Sequence, residues 1–380
     1  MGADSILQGH WTLIFMFYLL SFLVSIIVIV FVHEFGHFIV GRWCGVKAEV
    51  FSLGFGKELW GFNDKLGTRW RLSAIPLGGY VRFEGDANAA SQPDMSTTQS
   101  VTALHSQPVY KRAAIVAAGP IANFILAIVV FTLAFSVVGL PYMEPTVSKV
   151  MPGSAAEKAG ILPGDRIESI DGSAVTTFGE MQQAVWLRAG EELSVQLLRA
   201  GVPVTVSLVP QTAEIDDDFG GKMKVGLMGV QHDPAADEPH FQRFSPAGAL
   251  VKATGHTWQI ISMTGKIVGR MITGSQSVKQ IGSAATMAKN AGDAASAGPW
   301  SFILFVGFLS VSIGLINLFP VPMLDGGHLV FYAIEALRGK PLGPQAQEWG
   351  FRIGFSVVIM LMALGVYNDA GRVLTKYFGT

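Results

Sequence analysis

Hydrophobic positions gather in long unbroken blocks, separated by stretches of shorter period. The first block covers residues 11–32 and is interrupted only by Thr12, Ser21 and Ser25. About 20 helical residues suffice to cross a hydrocarbon core. Comparable blocks follow at residues 113–138, 300–319 and 353–367, the last with polar ends. The pattern predicts a polytopic α-helical membrane protein with about four transmembrane helices, over 11–40, 113–139, 299–326 and 351–369. A cleavable signal peptide fits the first block poorly, because no Lys or Arg precedes it and no small-residue cleavage site follows.

The intervening segments read differently. In the loop 41–112, residues 49–56 and 70–83 alternate apolar with polar and carry Gly54, Gly56, Gly78 and Gly79, the pattern of hairpins or short strands. Phe51, Phe55, Trp60, Phe62 and Trp70 are too apolar for a freely solvated loop, so a β segment lying on the membrane face is expected. Residues 87–102, rich in Ser, Ala, Gln and Thr, read as mobile. Residues 146–211 read as a compact α+β domain, with strands near 146–150, 166–170, 193–198 and 202–208 and a helix after Thr177. An acidic linker (Glu214, Asp216, Asp217, Asp218) leads to residues 244–298. There Leu250, Thr254, Trp258, Ile261, Val268 and Ile272 share a helical face, as in amphipathic helices at the membrane surface or a helix packed on the outer domain.

Composition agrees with the blocks: only 14% of the 380 residues are charged, against about 25% in soluble domains. A net charge of -1 leaves no electrostatic footprint for nucleic acid, and one cysteine, Cys44, excludes an intramolecular disulfide framework. Lys and Arg cluster between Arg42 and Arg112, while none precedes the first block. The positive-inside rule puts that loop in the cytoplasm, and the segment between the second and third spans outside.

The chemistry concentrates at the inner end of the first span, in His33-Glu34-Phe35-Gly36-His37. Helix positions i and i+4 share a face, so both imidazoles can reach one metal ion, with Glu34 beside its open position. There Glu34 can take a proton from water and deliver it to a leaving amine. Ionisable groups inside a membrane helix are costly and imply a partner. Two histidines leave a catalytic zinc one protein ligand short. Asp325, an acid ending the third apolar block on the same side, is the natural third ligand, and His328 is its competitor or a supporting group.

His33 to His37, taken with the pattern Asn317 to Gly326, resembles the site-2 protease family of intramembrane metalloproteases (peptidase family M50). Phe51 to Gly56, Pro76 to Val81 and Ala118 to Asn123 match further family segments in the same order. The bacterial regulator of sigma-E protease type is the nearest in pattern. The resemblance implies Zn2+ held by His33, His37 and Asp325, with Glu34 as catalytic base. It implies contact between Asn317 and the substrate backbone, although an amide satisfying the helix ahead of Pro320 would read the same. It implies substrates with a transmembrane segment, such as an anti-sigma factor or remnant signal peptides, met in the lipid bilayer of the bacterial inner membrane. Residues 146–211 resemble a PDZ domain, on the strength of Pro152 to Ala156, Ala159 to Asp165 and Ile170 to Gly172. That implies a periplasmic domain with a peptide or protein ligand, one copy where well-known relatives have two. A catalytically silent PDZ scaffold and a metal transporter are the competing readings. The intact cluster argues against the first. The surplus Glu34 and the absence of an inverted repeat argue against the second.

Overall fold

Helices that are apolar on every side have no face for water, and the fold is built around four of them. In the computed structural model, which describes residues 3–86, 100–186, 188–216, 222–231, 240–273 and 282–378, α1 spans Ala3–Trp43. Four of the described helices contain stretches long and apolar enough to cross a membrane, namely Thr12–Trp43, Val109–Val137, Pro299–Asn317 and Gln345–Gly371. Phe15, Leu20, Ile125, Leu133, Ile353 and Met362 on these helices are exposed, as lipid contact requires. The chain divides into two compact units, residues 1–133, 250–271 and 276–380, and residues 134–249 with 272–275.

In the first unit α1 is followed by β1 (Ala48–Asn63) and β2 (Arg69–Phe83), an antiparallel pair. Both strands bend, and their register makes a sheet wider than a hairpin. Residues 48–53 pair with 79–83 and also lie against 69–72, while 58–63 pair with 69–73. The sheet thus has four segments, with 79–83 at one edge. Phe51 and Trp70 stack inside it at 4.2 Å, and Phe38 of α1 meets both rings. Fully burying an aromatic of this size contributes about 1.5–3 kcal/mol, which anchors the sheet to α1. The stretch expected to be mobile, 87–102, lies as far as residue 99 outside the described residues. A 3-10 turn (Leu104–Ser106) then leads into α2 (Val109–Val137), which contains Pro120.

The second unit begins with β3 (Leu140–Tyr142) and β4 (Lys149–Val150). Next come α3 (Ala155–Lys158), β5 (Arg166–Ile170), β6 (Ser173–Ala174) and α4 (Phe178–Trp186). They are followed by β7 (Leu193–Arg199), β8 (Val202–Leu208), β9 (Gln211–Asp216) and β10 (Lys222–Leu227), then β11 (Val230–Gln231) and β12 (His240–Gln242). Its principal sheet runs β6-β5-β7-β8. Alternate residues Leu193, Val195 and Leu197 turn inward onto Ile161, Ile167 and Met181. The acidic stretch expected to be a linker is instead β9 as far as Asp216, paired with β10; Asp217 and Asp218 lie outside the described residues. β11 returns to pair with β4, so the chain after β8 belongs to this fold.

α5 (Pro246–Ile272) is one long helix. Its buried stripe is Ala249, Ala253 and Thr257, while Leu250, Val251, Trp258 and Met263 are exposed. α6 (Ala284–Ser296) is capped by Ser283 and bonded to α1 through Tyr18 and Asp293. α7 (Pro299–Asn317) is the third apolar helix, and α8 (Asp325–Arg338) begins at the predicted ligand itself. α9 (Pro344–Phe378) extends well beyond the predicted 351–369.

Candidate metal centre

Helical spacing brings His33 and His37 of α1 to one face, with Nε2 atoms 3.2 Å apart. Asp325 arrives from the other half of the chain. Its Oδ2 lies 3.1 Å from His33 Nε2 and its Oδ1 3.6 Å from His37 Nε2. All three ligand atoms fall within 4.8 Å of one another. Zinc bonds to nitrogen and oxygen of about 2.0–2.1 Å give a tetrahedron with edges of about 3.4 Å, the spacing seen here. Asp325 Oδ2 is buried without a hydrogen bond despite its nearness to His33. Lone pairs aimed at a shared point leave that signature, and this donor set fits a zinc ion.

The second nitrogen of each imidazole is also held. His37 Nδ1 donates to the Ile115 carbonyl at 2.8 Å, which leaves Nε2 with a lone pair for a metal. His33 Nδ1 lies 3.3 Å from the carboxamide of the fully buried Asn123. For His33 Nε2 to ligate, Nδ1 must carry the hydrogen; a half-turn of the carboxamide, which brings its nitrogen Nδ2 to Nδ1 as placed, would offer the Asn123 oxygen, unpaired among the described residues, to accept it. Ser310 of α7 donates to the backbone carbonyl of Asn123 at 2.9 Å. Sequence reasoning assigned no role to Asn123 or Ile115; each holds its histidine only through the docking of α2 on α1.

That docking is close. A Cβ at Gly36 would lie 2.4 Å from the Ala118 carbonyl oxygen. One at Gly119 would lie 2.3 Å from His37 Nε2 and 2.9 Å from His33 Cε1, so bare backbone forms the floor beneath both rings.

Asp325 is set by a different device. Pro320 and Pro322 interrupt the helix after Asn317, Met323 adopts φ 106°, and α8 starts at Asp325. A non-glycine residue at positive φ costs on the order of 1–3 kcal/mol and is retained where surroundings demand it. Here it turns the chain so that an acid occupies the first turn of a helix, where the dipole favours negative charge.

Glu34 is partly buried and follows His33 on the same helix, with the Val81 backbone amide facing its carboxylate. Gly79 sits against it, since a Cβ there would be 3.1 Å from Glu34 Cγ. A cavity of about 420 Å3 joins these groups. It is lined by His33, Glu34, His37 and Asp325, by Gly78 to Val81 of the sheet edge, and by Asn317 and His328. All five sequence-predicted site residues therefore meet in one cavity. His328 lines it too, outside the group of three.

The model of peptidase family M50 matches residues 21–361. Among relatives, a protein of Agrobacterium fabrum, Atu1380, whose name assigns it provisionally to the zinc metalloproteases, is 45% identical over 358 residues, covering 93% of this chain and 95% of that one. Metalloprotease MmpA of Caulobacter vibrioides is 36% identical over 94% of this chain and 96% of its own length. Regulator of sigma-E protease RseP of Escherichia coli K12 is 31% identical, covering 94% of this chain and 99% of that protein. Its alignment is 456 positions long, so RseP carries about a hundred residues without a counterpart here.

Proposed function

This chain belongs to peptidase family M50, and from that premise we propose that it is a zinc metalloprotease cutting membrane proteins within or beside their transmembrane segments. The observation that carries the reading is the convergence of His33, His37 and Asp325, with Glu34 beside them, at the end of an apolar helix. Zinc held there supplies Lewis-acid activation of water and of the scissile carbonyl. Glu34, next to the open side of the group, takes the proton from the attacking water and returns it to the leaving nitrogen. The Ile115 carbonyl keeps His37 in the ligating tautomer, and Asn123 would do the same for His33 with its carboxamide oxygen turned to Nδ1.

A helical substrate presents no free backbone, so it must unwind to be cut. The sheet edge at 79–83 borders the cavity, and strand addition there would hold the unwound stretch in extended form. Asn317 on the same wall would bond the substrate backbone beside the scissile bond. Exposed Leu59, Trp60, Phe62 and Ile75 suit a membrane-associated sheet.

The β-rich second unit, with the sheet β6-β5-β7-β8, would serve as a PDZ domain that takes a peptide or protein ligand. A single copy agrees with the shorter length relative to RseP. The clustering of basic residues between Arg42 and Arg112 supports a multi-pass protein of the bacterial inner membrane, with its active site toward the cytoplasm and the PDZ domain periplasmic. Regulated intramembrane proteolysis of an anti-sigma factor, or clearance of remnant signal peptides, would be its task.

The test is cleavage of a reporter with a single transmembrane segment by purified enzyme, wild type beside Glu34→Gln, with zinc quantified in both. Wild type should cut within or beside the segment while Glu34→Gln holds zinc and falls by about 10²–10⁴-fold. Zinc binding without cleavage in both proteins would overturn the reading.

A further inference from the structure

Once zinc ligands, base and Asn317 are assigned, the cavity still holds polar side chains without a role. Of these, His328 stands closest in sequence to the chemistry. It lies three residues beyond Asp325 on α8, so the two side chains share a helix face. Its ring is boxed by aromatics, with the Phe351 centroid at 5.6 Å, Phe331 at 6.5 Å and Tyr332 at 6.5 Å. No hydrogen bond is made by the His328 ring among the described residues, and the residue lines the cavity that contains Glu34 and Asp325. An imidazole carries at least one N–H in either protonation state. Flanked by rings and lining the cavity, His328 offers an N–H that finds no acceptor among the described residues.

The reaction needs such a donor. As water adds to a peptide carbonyl, negative charge grows on the carbonyl oxygen, and donors placed for that charge lower the barrier. We propose that His328 is a catalytic residue that donates a hydrogen bond to the substrate carbonyl oxygen as it becomes tetrahedral. The C–O π pair moves onto oxygen, the new C–O bond forms from water, and the water proton goes to Glu34. His328 lends its hydrogen bond without giving up the proton. The assignment rests on the proteolytic reading and adds a residue to it.

The donor role separates from the alternatives by paired variants. His328→Phe keeps an aromatic ring in the box but removes the donor; His328→Gln keeps a donor but not the ring. The assays are reporter kinetics, bound zinc, and affinity for a phosphinic peptide that mimics the tetrahedral state, all on the full chain in detergent. Expected for His328→Phe is full zinc, nearly unchanged KM and a kcat lower by about 10²–10³-fold. Phosphinic peptide affinity should fall in step, and His328→Gln should recover a substantial part of both. Wild-type kcat and phosphinic affinity in His328→Phe would overturn the proposal, as would zinc loss in that variant or an equal fall in both variants. Should His328→Phe not fold, His328→Leu and His328→Asn make the same contrast. A wild type that cuts nothing would instead fail the proteolytic reading, which keeps the two failures distinct.

Discussion

Gly119→Ala tests whether the backbone of α2 is the floor of the metal centre. The added methyl would stand 2.3 Å from His37 Nε2, 2.5 Å from its Cε1 and 2.9 Å from His33 Cε1. Ordinary carbon contacts need about 3.5 Å or more, so the overlap exceeds about 1 Å. α2 cannot simply retreat without stretching the bond from His37 Nδ1 to the Ile115 carbonyl on the same helix. The His37 ring must therefore rotate. That strains its rotamer by about 0.5–1.5 kcal/mol and weakens the bond to the Ile115 carbonyl, worth about 1 kcal/mol. Together these come to about 2 kcal/mol, or about 30-fold in zinc affinity. Loss of a partner that orients a metal ligand costs about 10–100-fold, in agreement. Chelator competition against the purified protein, with bound zinc quantified, measures the change. Gly255→Ala is the matched control, since nothing lies within 4 Å of its Cβ position, and it should bind zinc as wild type does. Zinc affinity in Gly119→Ala within about threefold of wild type would refute the reasoning, because rotamer strain alone should cost nearly that much.

Two further outcomes follow from close contacts and charge. A Cβ at Gly354 would sit 1.6 Å from the Pro322 carbonyl oxygen, so Gly354→Ala should push α9 against the turn that sets Asp325. Overpacking of this kind costs about 1–3 kcal/mol, read as a lower melting temperature together with slower reporter cleavage; an unchanged melt would count against the packing described. In the second unit, burial alone would raise the Asp165 carboxyl, but Arg199 and the Leu162 amide outweigh it and hold it below its usual range. A depressed folded pKa gives stability that is present above the unfolded value of about 3.9 and is lost as pH falls through the folded one. Hydrogen exchange in β5 and β7 should accelerate below about pH 4, and Arg199→Met should be less protected at neutral pH and flatten that dependence. Equal pH profiles in the two proteins would refute the assignment.

How much was legible depends on whether a feature is local. The histidine pair needs only the repeat of one helix, and Asp325 announces itself as an acid closing an apolar block. Asn123 and Gly119 were visible as part of a segment, but their roles arise only when α2 docks on α1, which no local pattern encodes. Two prolines end α7 at Asn317, short of the 326 expected for the third span, and α8 starts afresh at Asp325. The acidic run suggested a linker, yet as far as Asp216 it is a strand that β10 covers, because pairing runs through the backbone and charged side chains do not prevent it. The four-segment sheet was read only as hairpins or short strands, since register between distant segments cannot be taken from alternation. In α5 periodicity picked out a stripe of large apolar residues. It could not tell that the small residues Ala249 and Ala253 are the buried ones, because a stripe of large apolar residues is equally at home against lipid.

The neutral character of the groups around the histidines follows from where they sit. Imidazole ligands are often oriented by carboxylates, which also raise their basicity. Here the partners are a backbone carbonyl and a carboxamide. A divalent ion held by Asp325, were Glu34 ionised beside it, would sum to zero charge, and one more carboxylate would leave an uncompensated anion in an apolar helix bundle, at a cost of several kcal/mol. Neutral partners orient the rings without that cost, but they hold only while α2 is docked against α1. Metal binding by this group would therefore be tied to helix packing, and a change at Gly36 or Gly119 would reach it without replacing His33, His37 or Asp325.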